Sequence, residues 1–218
     1  MRQLQFISLF PDMFPGVLET SMLKKAQDQQ IVQYHYVDLR EFGIGPRKTV
    51  DDTPYGGGDG MLLRPEPLFA AIEHCKQRDP SALVVLMTPR GEPFQQSTAQ
   101  QFANDNHGLI FVCSRYEGYD ERVVSVVDRQ LSIGDYVVTG GELPAMMVAD
   151  ATVRLLPGVL GGAESSEKES FQDPDVIEHP HYTRPEEFRG MCVPDVLLSG
   201  HHADIQAWRD AQSVKRKR

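Results

Sequence analysis

The chain has 218 residues, of which 40% are hydrophobic and 24% charged, a balance that suits one substantial domain with an appendage and excludes a largely disordered chain. Its net charge is −9, which argues against a protein coated in positive charge. Uncharged stretches such as Gln3 to Pro11 and Leu155 to Ala163 are nine residues long, far short of the roughly 18 needed to cross a bilayer. Pro11 and Asp12 interrupt the first apolar run and no small-residue cleavage site follows, so the sequence reads as unprocessed and cytoplasmic, with no membrane partner. Cys75, Cys113 and Cys192 are odd in number and form no Cys-x-x-Cys pair, which argues against a disulfide framework and against a thiolate metal site.

In chain order, Gln3 to Leu9 and Ile31 to Leu39 are apolar or β-prone, with the amphipathic stretch Phe14 to Gln27 between them, so the opening reads strand, helix, strand. Ala82 to Met87 and Leu109 to Cys113 are continuous apolar runs of strand length, as central parallel strands covered on both faces require. Helical patterns occupy Pro65 to Gln77, Ser97 to Asn104 and Asp120 to Val127, and a long one over Leu143 to Leu156 stops at Pro157-Gly158. The alternation predicts an α/β fold with a parallel sheet. From Gly161 to Pro180 the sequence turns polar and loses periodicity, which predicts a linker or mobile loop. A small helical appendage follows, with Ser199 near the cap of a helix over His202 to Gln212.

Two groups of loops carry chemical information. Tyr55-Gly56-Gly57-Gly58-Asp59-Gly60-Met61 is dense enough in glycine for close approach to a ligand, yet it is neither a Walker loop nor a dinucleotide fingerprint, and a plain surface loop reads equally well. Three further segments follow strands: Thr88-Pro89-Arg90-Gly91, Ser114-Arg115-Tyr116-Glu117-Gly118, and Ser132 to Pro144. Ligands of open α/β sheets bind outside the carboxyl ends of the strands, so these three loops predict one pocket. Gly140-Gly141 and Pro144 bracket the start of the long helix and leave amide hydrogens free for a ligand.

Those segments, with Ile7 to Phe14, Lys48 to Asp52, Pro157 to Gly161, Pro180 to Pro185 and Ser199 to His202, resemble the bacterial tRNA (guanine-N1-)-methyltransferase family of the SPOUT superfamily over nearly the whole chain. The resemblance implies a trefoil-knotted α/β fold over residues 1–160 that binds S-adenosylmethionine. It further implies a linker over 161–180 that carries a catalytic carboxylate, and a small helical tRNA-binding domain over 181–218. Family members usually continue some tens of residues further, so that last domain is expected to be truncated or to end in a short helix. An obligate homodimer with an active site shared between chains is implied too, together with methyl transfer to N1 of the guanine at tRNA position 37. The implied cofactor pocket falls on Met87, Thr88, Pro89, Ser114, Tyr116, Glu117, Ile133, Gly134, Asp135, Tyr136, Val137, Val138, Gly140, Gly141 and Pro144. Thr88 stands where the family commonly has serine, and Ser114 where it commonly has glycine.

The chemistry can be argued separately. Guanine N1 carries a proton at neutral pH, so its attack on a sulfonium methyl needs a base near N1 and a cation near O6 to hold the developing charge. The family's pair falls on Arg154, in the long helix, and on Glu169, where aspartate is usual; Glu167 is the nearest rival for the base. Without the resemblance, Glu169 reads as a solvated charge and Arg154 as an ordinary helix-surface ion pair. His179, His181, His201 and His202 invite a zinc reading, but no acidic or thiolate partner completes a tetrahedral set at ligand spacing. The family's reaction is linked to magnesium, for which the sequence shows no ligand set. Two other readings compete: a knotted methyltransferase acting on a different RNA, and a non-catalytic homologue that keeps the cofactor pocket.

Overall fold

The apolar runs become the strands of a five-stranded, all-parallel sheet. A computed structural model describes residues 1–160, 170, 171, 173 and 176–215, and divides into two compact units, Met1–Gly161 and Gly162–Arg218. In the first unit the chain runs β1 (Arg2–Ser8), a helical turn (Pro15–Leu18), α1 (Ser21–Asp28), β2 (Val32–Asp38), α2 (Pro65–Arg78), β3 (Leu83–Pro93), α3 (Gln96–Asn104), β4 (Leu109–Cys113), β5 (Arg129–Ser132) and α4 (Glu142–Val153). The sheet order is β2-β1-β4-β3-β5, with Leu4 paired to Tyr34 and Leu109, and Val85 to Phe111 and Arg129.

Side-chain alternation builds a core on each face of the sheet. Leu4, Phe6 and Phe111 meet Leu23 of α1, Phe102 of α3 and Met146 of α4 on one face, and Ile7, Ile110 and Val112 meet Leu68 and Ile72 of α2 on the other. Every residue of β4 is buried, which accounts for a run without polar alternation. At Gly91 and Gly141, both beside the site, the backbone passes so close to its neighbour that only glycine fits. A Cβ on Gly91 would run into the Leu131 amide, and one on Gly141 would lie 2.7 Å from Cys113 Cα.

Several elements differ from the sequence expectation. The helix expected over Phe14 to Gln27 breaks where the Thr20 hydroxyl donates to the Val17 carbonyl at 2.9 Å and Ser21 takes a φ of 49°. The helix expected over Asp120 to Val127 is a tighter 3-10 turn, Glu121–Val126, capped by the Asp120 carboxylate accepting from the Arg122 amide at 3.0 Å. Within the second unit are two short antiparallel ribbons, Val176–Ile177 with Val214–Lys215 and Glu187–Phe188 with Met191–Cys192, then the turn Asp195–Leu198 and α5 (His202–Gln212). The cap of α5 is His201, whose amide donates to the Ser199 hydroxyl at 3.1 Å. No described residue of this unit is fully buried. Most of the expected 161–180 linker lies outside the described residues.

Candidate active site

The three loops converge on one cavity of about 350 Å3 at the carboxyl ends of β3, β4 and β5. The first loop is a bulge within β3: Met87 and Glu92 both pair with Leu131, so residues 88–91 are pushed out of the ladder toward the cavity. The Thr88 hydroxyl, at the start of the bulge, receives the Tyr119 hydroxyl at 3.3 Å, and the Ser114 hydroxyl donates to the Met87 carbonyl at 3.1 Å. Both departures from the usual family residues therefore use their hydroxyls to tie one loop to the next.

The second and third loops are joined by a buried charge cluster. Glu142, the first residue of α4, is fully buried and accepts the Ser8 hydroxyl at 2.6 Å, while Arg115 Nε lies 2.9 Å from its other oxygen. The same guanidinium donates to the Thr139 carbonyl at 3.2 Å and packs over the Phe10 ring at 4.6 Å. Tyr116 and Gly118 take positive φ angles of 59° and 131°, which turns the second loop back so that the Leu63 amide donates to the Gly118 carbonyl and the Leu63 carbonyl accepts from the Asp120 amide. The Glu117 amide donates to the Met61 carbonyl at 3.0 Å, and a Cβ on Gly60 would lie 3.1 Å from Glu117 Oε1, so the end of the glycine-rich loop rests on the cavity rim.

All the expected pocket residues line the cavity except Gly134 and Asp135. Gly134 takes a φ of 141° and turns the chain so that Tyr136, and not residue 134, faces the space. Arg90, Arg115, Tyr119, Glu121 and Ser132 line it as well. Arg90, Arg115 and Ser132 stand inside the three loop segments, whereas Tyr119 has no sequence signal. Arg90 is spent on Glu121 at 2.9 Å and Arg115 on Glu142, so the Glu117 carboxylate is left without an ion pair among the described residues. Met87, Leu131, Ile133, Val138 and Pro144 supply apolar wall, and hydroxyls such as those of Thr88, Ser114 and Ser132 supply polar wall. A cavity of mixed lining with one uncompensated carboxylate suits a ligand that carries a positive charge and a planar ring.

Arg154 stands at the carboxyl end of α4, partly buried, and does not line this cavity. Glu169 and Glu167 lie outside the described residues. Among the described residues no group of three His, Cys, Asp or Glu side chains could hold a metal ion, and no helix is long and apolar enough to cross a membrane.

A parallel sheet with a pocket built from three carboxyl-end loops, one of them seated on a close-approach glycine at the start of α4, defines an α/β ligand-binding domain. The whole chain, residues 1–218, matches the family described as tRNA (Guanine-1)-methyltransferase TrmD, and it belongs to that family. It is 50% identical over 216 residues to the tRNA (guanine-N(1)-)-methyltransferase of Bacillus subtilis (strain 168), covering 98% of this chain and 88% of that protein. It is 52% identical over 215 residues to the enzyme of the same name from Shouchella clausii (strain KSM-K16), covering 98% and 87%. Among solved structures it is similar to the tRNA (m1G37) methyltransferase of Aquifex aeolicus, at 38% identity and a TM-score of 0.79, over 95% of this chain and 87% of that one.

Proposed function

We propose that the protein transfers a methyl group to N1 of guanine 37 of tRNA in the cytoplasm, with the 350 Å3 cavity as the S-adenosylmethionine site. The observation that carries this reading is the cavity's composition: apolar walls suited to an adenine ring, and Glu117 uncompensated and facing the space, which suits a cationic sulfonium. When bound, S-adenosylmethionine supplies an electrophilic methyl on sulfur.

Each residue of the chain then has a task. The Gly141 amide is spent on the Ser114 carbonyl at 2.9 Å, so the Gly140 amide and the 88–91 bulge hold and orient the donor, and the apolar part of the walls excludes water that would screen the charges at the reacting centre. Glu169 takes the N1 proton, which frees the lone pair for in-line attack. Arg154 holds the negative charge that develops at O6. Because Arg154 does not line its own chain's cavity, it is assigned to the cavity of a second copy, which makes the protein a homodimer with a shared site. Exposed apolar side chains support that assembly: Leu143 and Met147, one turn apart on α4 and each 51% exposed, together with Phe10 and Met13 beside Arg115. The second unit is assigned to tRNA binding.

Reverse transcription tests the reading directly, because N1 lies on the Watson–Crick edge and its methylation blocks pairing. A tRNA transcript incubated with the protein and S-adenosylmethionine should give a strong stop adjacent to position 37. A stop elsewhere, or none, would overturn the assignment.

A further inference from the structure

The second unit contains a cavity of its own that methyl transfer leaves unused. Its volume is about 200 Å3 and its lining includes Glu178, His179, Gln206, Arg209 and Asp210, drawn from the strand-like segment before Pro180 and from α5. His179 also belongs to a cluster of rings. It lies 4.6 Å from His181 and 6.1 Å from Trp208, and Tyr182 lies 6.2 Å from Trp208, all with interplanar angles between 54° and 60°. Tyr182 is 49% exposed, so the cluster offers ring surface to a planar guest.

The polar groups point the same way. Gln206 spends one amide N–H on Asp210 Oδ1 at 2.8 Å, which leaves the other N–H to donate and the amide oxygen and second carboxylate oxygen to accept hydrogen bonds. Arg209 has no ion pair among the described residues, so its guanidinium is available to an anion. Flat rings, acceptors and one uncommitted guanidinium together match a base attached to a phosphate. The sequence continues from α5 into Lys215-Arg216-Lys217-Arg218, a local excess of positive charge in a chain of net charge −9.

We propose that this cavity and its rings form a nucleotide subsite, which takes one unpaired base of the tRNA, other than the methylated guanine, together with its phosphate. The inference rests on the tRNA reading above and adds a second point of attachment to it.

Trp208 is the only tryptophan of the chain, so its fluorescence reports this site alone. Titrating the full-length protein with a tRNA transcript should quench the emission saturably, with a midpoint near the KM for tRNA, while S-adenosylmethionine alone leaves it unchanged. Arg209→Ala should raise the KM for tRNA about tenfold and leave kcat and the Kd for S-adenosylmethionine within about twofold. His179→Ala should act in the same direction, and Arg209→Lys should restore part of the loss. Arg209 is exposed, so its truncation leaves the fold in place. Methyl transfer that proceeds with no change in emission, or with an unchanged KM in both alanine variants, would overturn the subsite and leave the enzyme assignment standing. Emission that responds to protein concentration and not to tRNA would show that a second copy covers Trp208, and would overturn it equally. Quenching by tRNA that Arg209→Ala weakens, without any methyl transfer, would retain the subsite and reject the enzyme assignment.

Discussion

Arg115 and Glu142 face each other 2.9 Å apart beneath the loops of the larger cavity, the carboxylate fully buried and the guanidinium side chain only 16% exposed. The contact is one of opposite charges without hydrogen-bond alignment between these two atoms, and the Ser8 hydroxyl and the Thr139 carbonyl complete the cluster. The pair fastens the loop after β4 to the start of α4, so the pocket's shape depends on it. Glu142→Gln keeps the side chain's size and strands the arginine's charge. It should cost about 3 kcal/mol in denaturant unfolding, the low end for breaking a buried pair because Arg115 retains some solvent. A loss below about 1 kcal/mol would show that the cluster is not a structural pin.

Backbone proximity at Gly91 leads to a second expectation. Gly91→Ala forces a Cβ into the Leu131 amide and should destabilise the protein by about 3 kcal/mol, with weakened S-adenosylmethionine binding because the bulge moves. Gly58→Ala is the control: nothing lies within 4 Å of its Cβ, and only its φ of 123° resists a side chain, so it should leave the cofactor affinity unchanged. Thermal melts and calorimetric titration of the two variants separate steric from conformational cost.

The thiols set an alkaline limit on stability. Burial pushes Cys75 from 9.0 up to about 11 and holds Cys113 well above the usual thiol range, with the Glu142 charge adding to the second. A raised thiol pKa means that the unfolded chain loses its proton first. The contribution is therefore complete below about pH 9 and is lost as the pH rises through the folded value near 11. Urea unfolding should show stability falling across that interval, and Cys75→Ser with Cys113→Ala should flatten the fall. In the native protein at pH 8, a thiol reagent should label exposed Cys192 quickly and the other two only on unfolding.

Much of this architecture could be read from the residues. Leu109 to Cys113 and Ala82 to Met87 announced buried parallel strands because both faces of those strands are covered, and the loops after them could be placed at one pocket for the same reason. What could not be read depends on local competition or on distant contacts. Thr20 diverts its hydroxyl into the preceding turn and breaks the first helix, and Asp120 caps a 3-10 turn where periodicity suggested α. Tyr119 reaches Thr88 across a sequence separation of 31, and nothing adjacent to it in sequence marks it. Gly134 matched the pocket motif, but its role is to turn the chain toward Tyr136.

The proposed dimer with a shared site is testable at α4. Leu143→Glu with Met147→Glu places two charges on the exposed apolar stripe and should convert the dimer to a monomer in light scattering, with methyl transfer falling by at least about a hundredfold because Arg154 loses its counterpart cavity. A monomeric variant that kept full activity would mean that one chain suffices.

Glu169→Gln keeps the shape of the proposed base and removes its basic lone pair. Methyl transfer should fall by about two to four orders of magnitude while the Kd for S-adenosylmethionine stays within a few fold, and Glu167→Gln should change little. Turnover of the unaltered protein should rise with pH through the pKa of the base, whereas in Glu169→Gln it should rise only through that of guanine itself. Glu169→Asp, which restores the residue usual in the family, should retain substantial activity.

The central claim is position-specific transfer, and the most direct measurement uses labelled S-adenosylmethionine with two transcripts of one tRNA that differ only in carrying guanine or adenine at position 37. The account predicts one methyl per molecule on the guanine transcript, recovered on digestion as 1-methylguanosine, and no label on the adenine transcript. Equal labelling of both, or label recovered in another nucleoside, would contradict it.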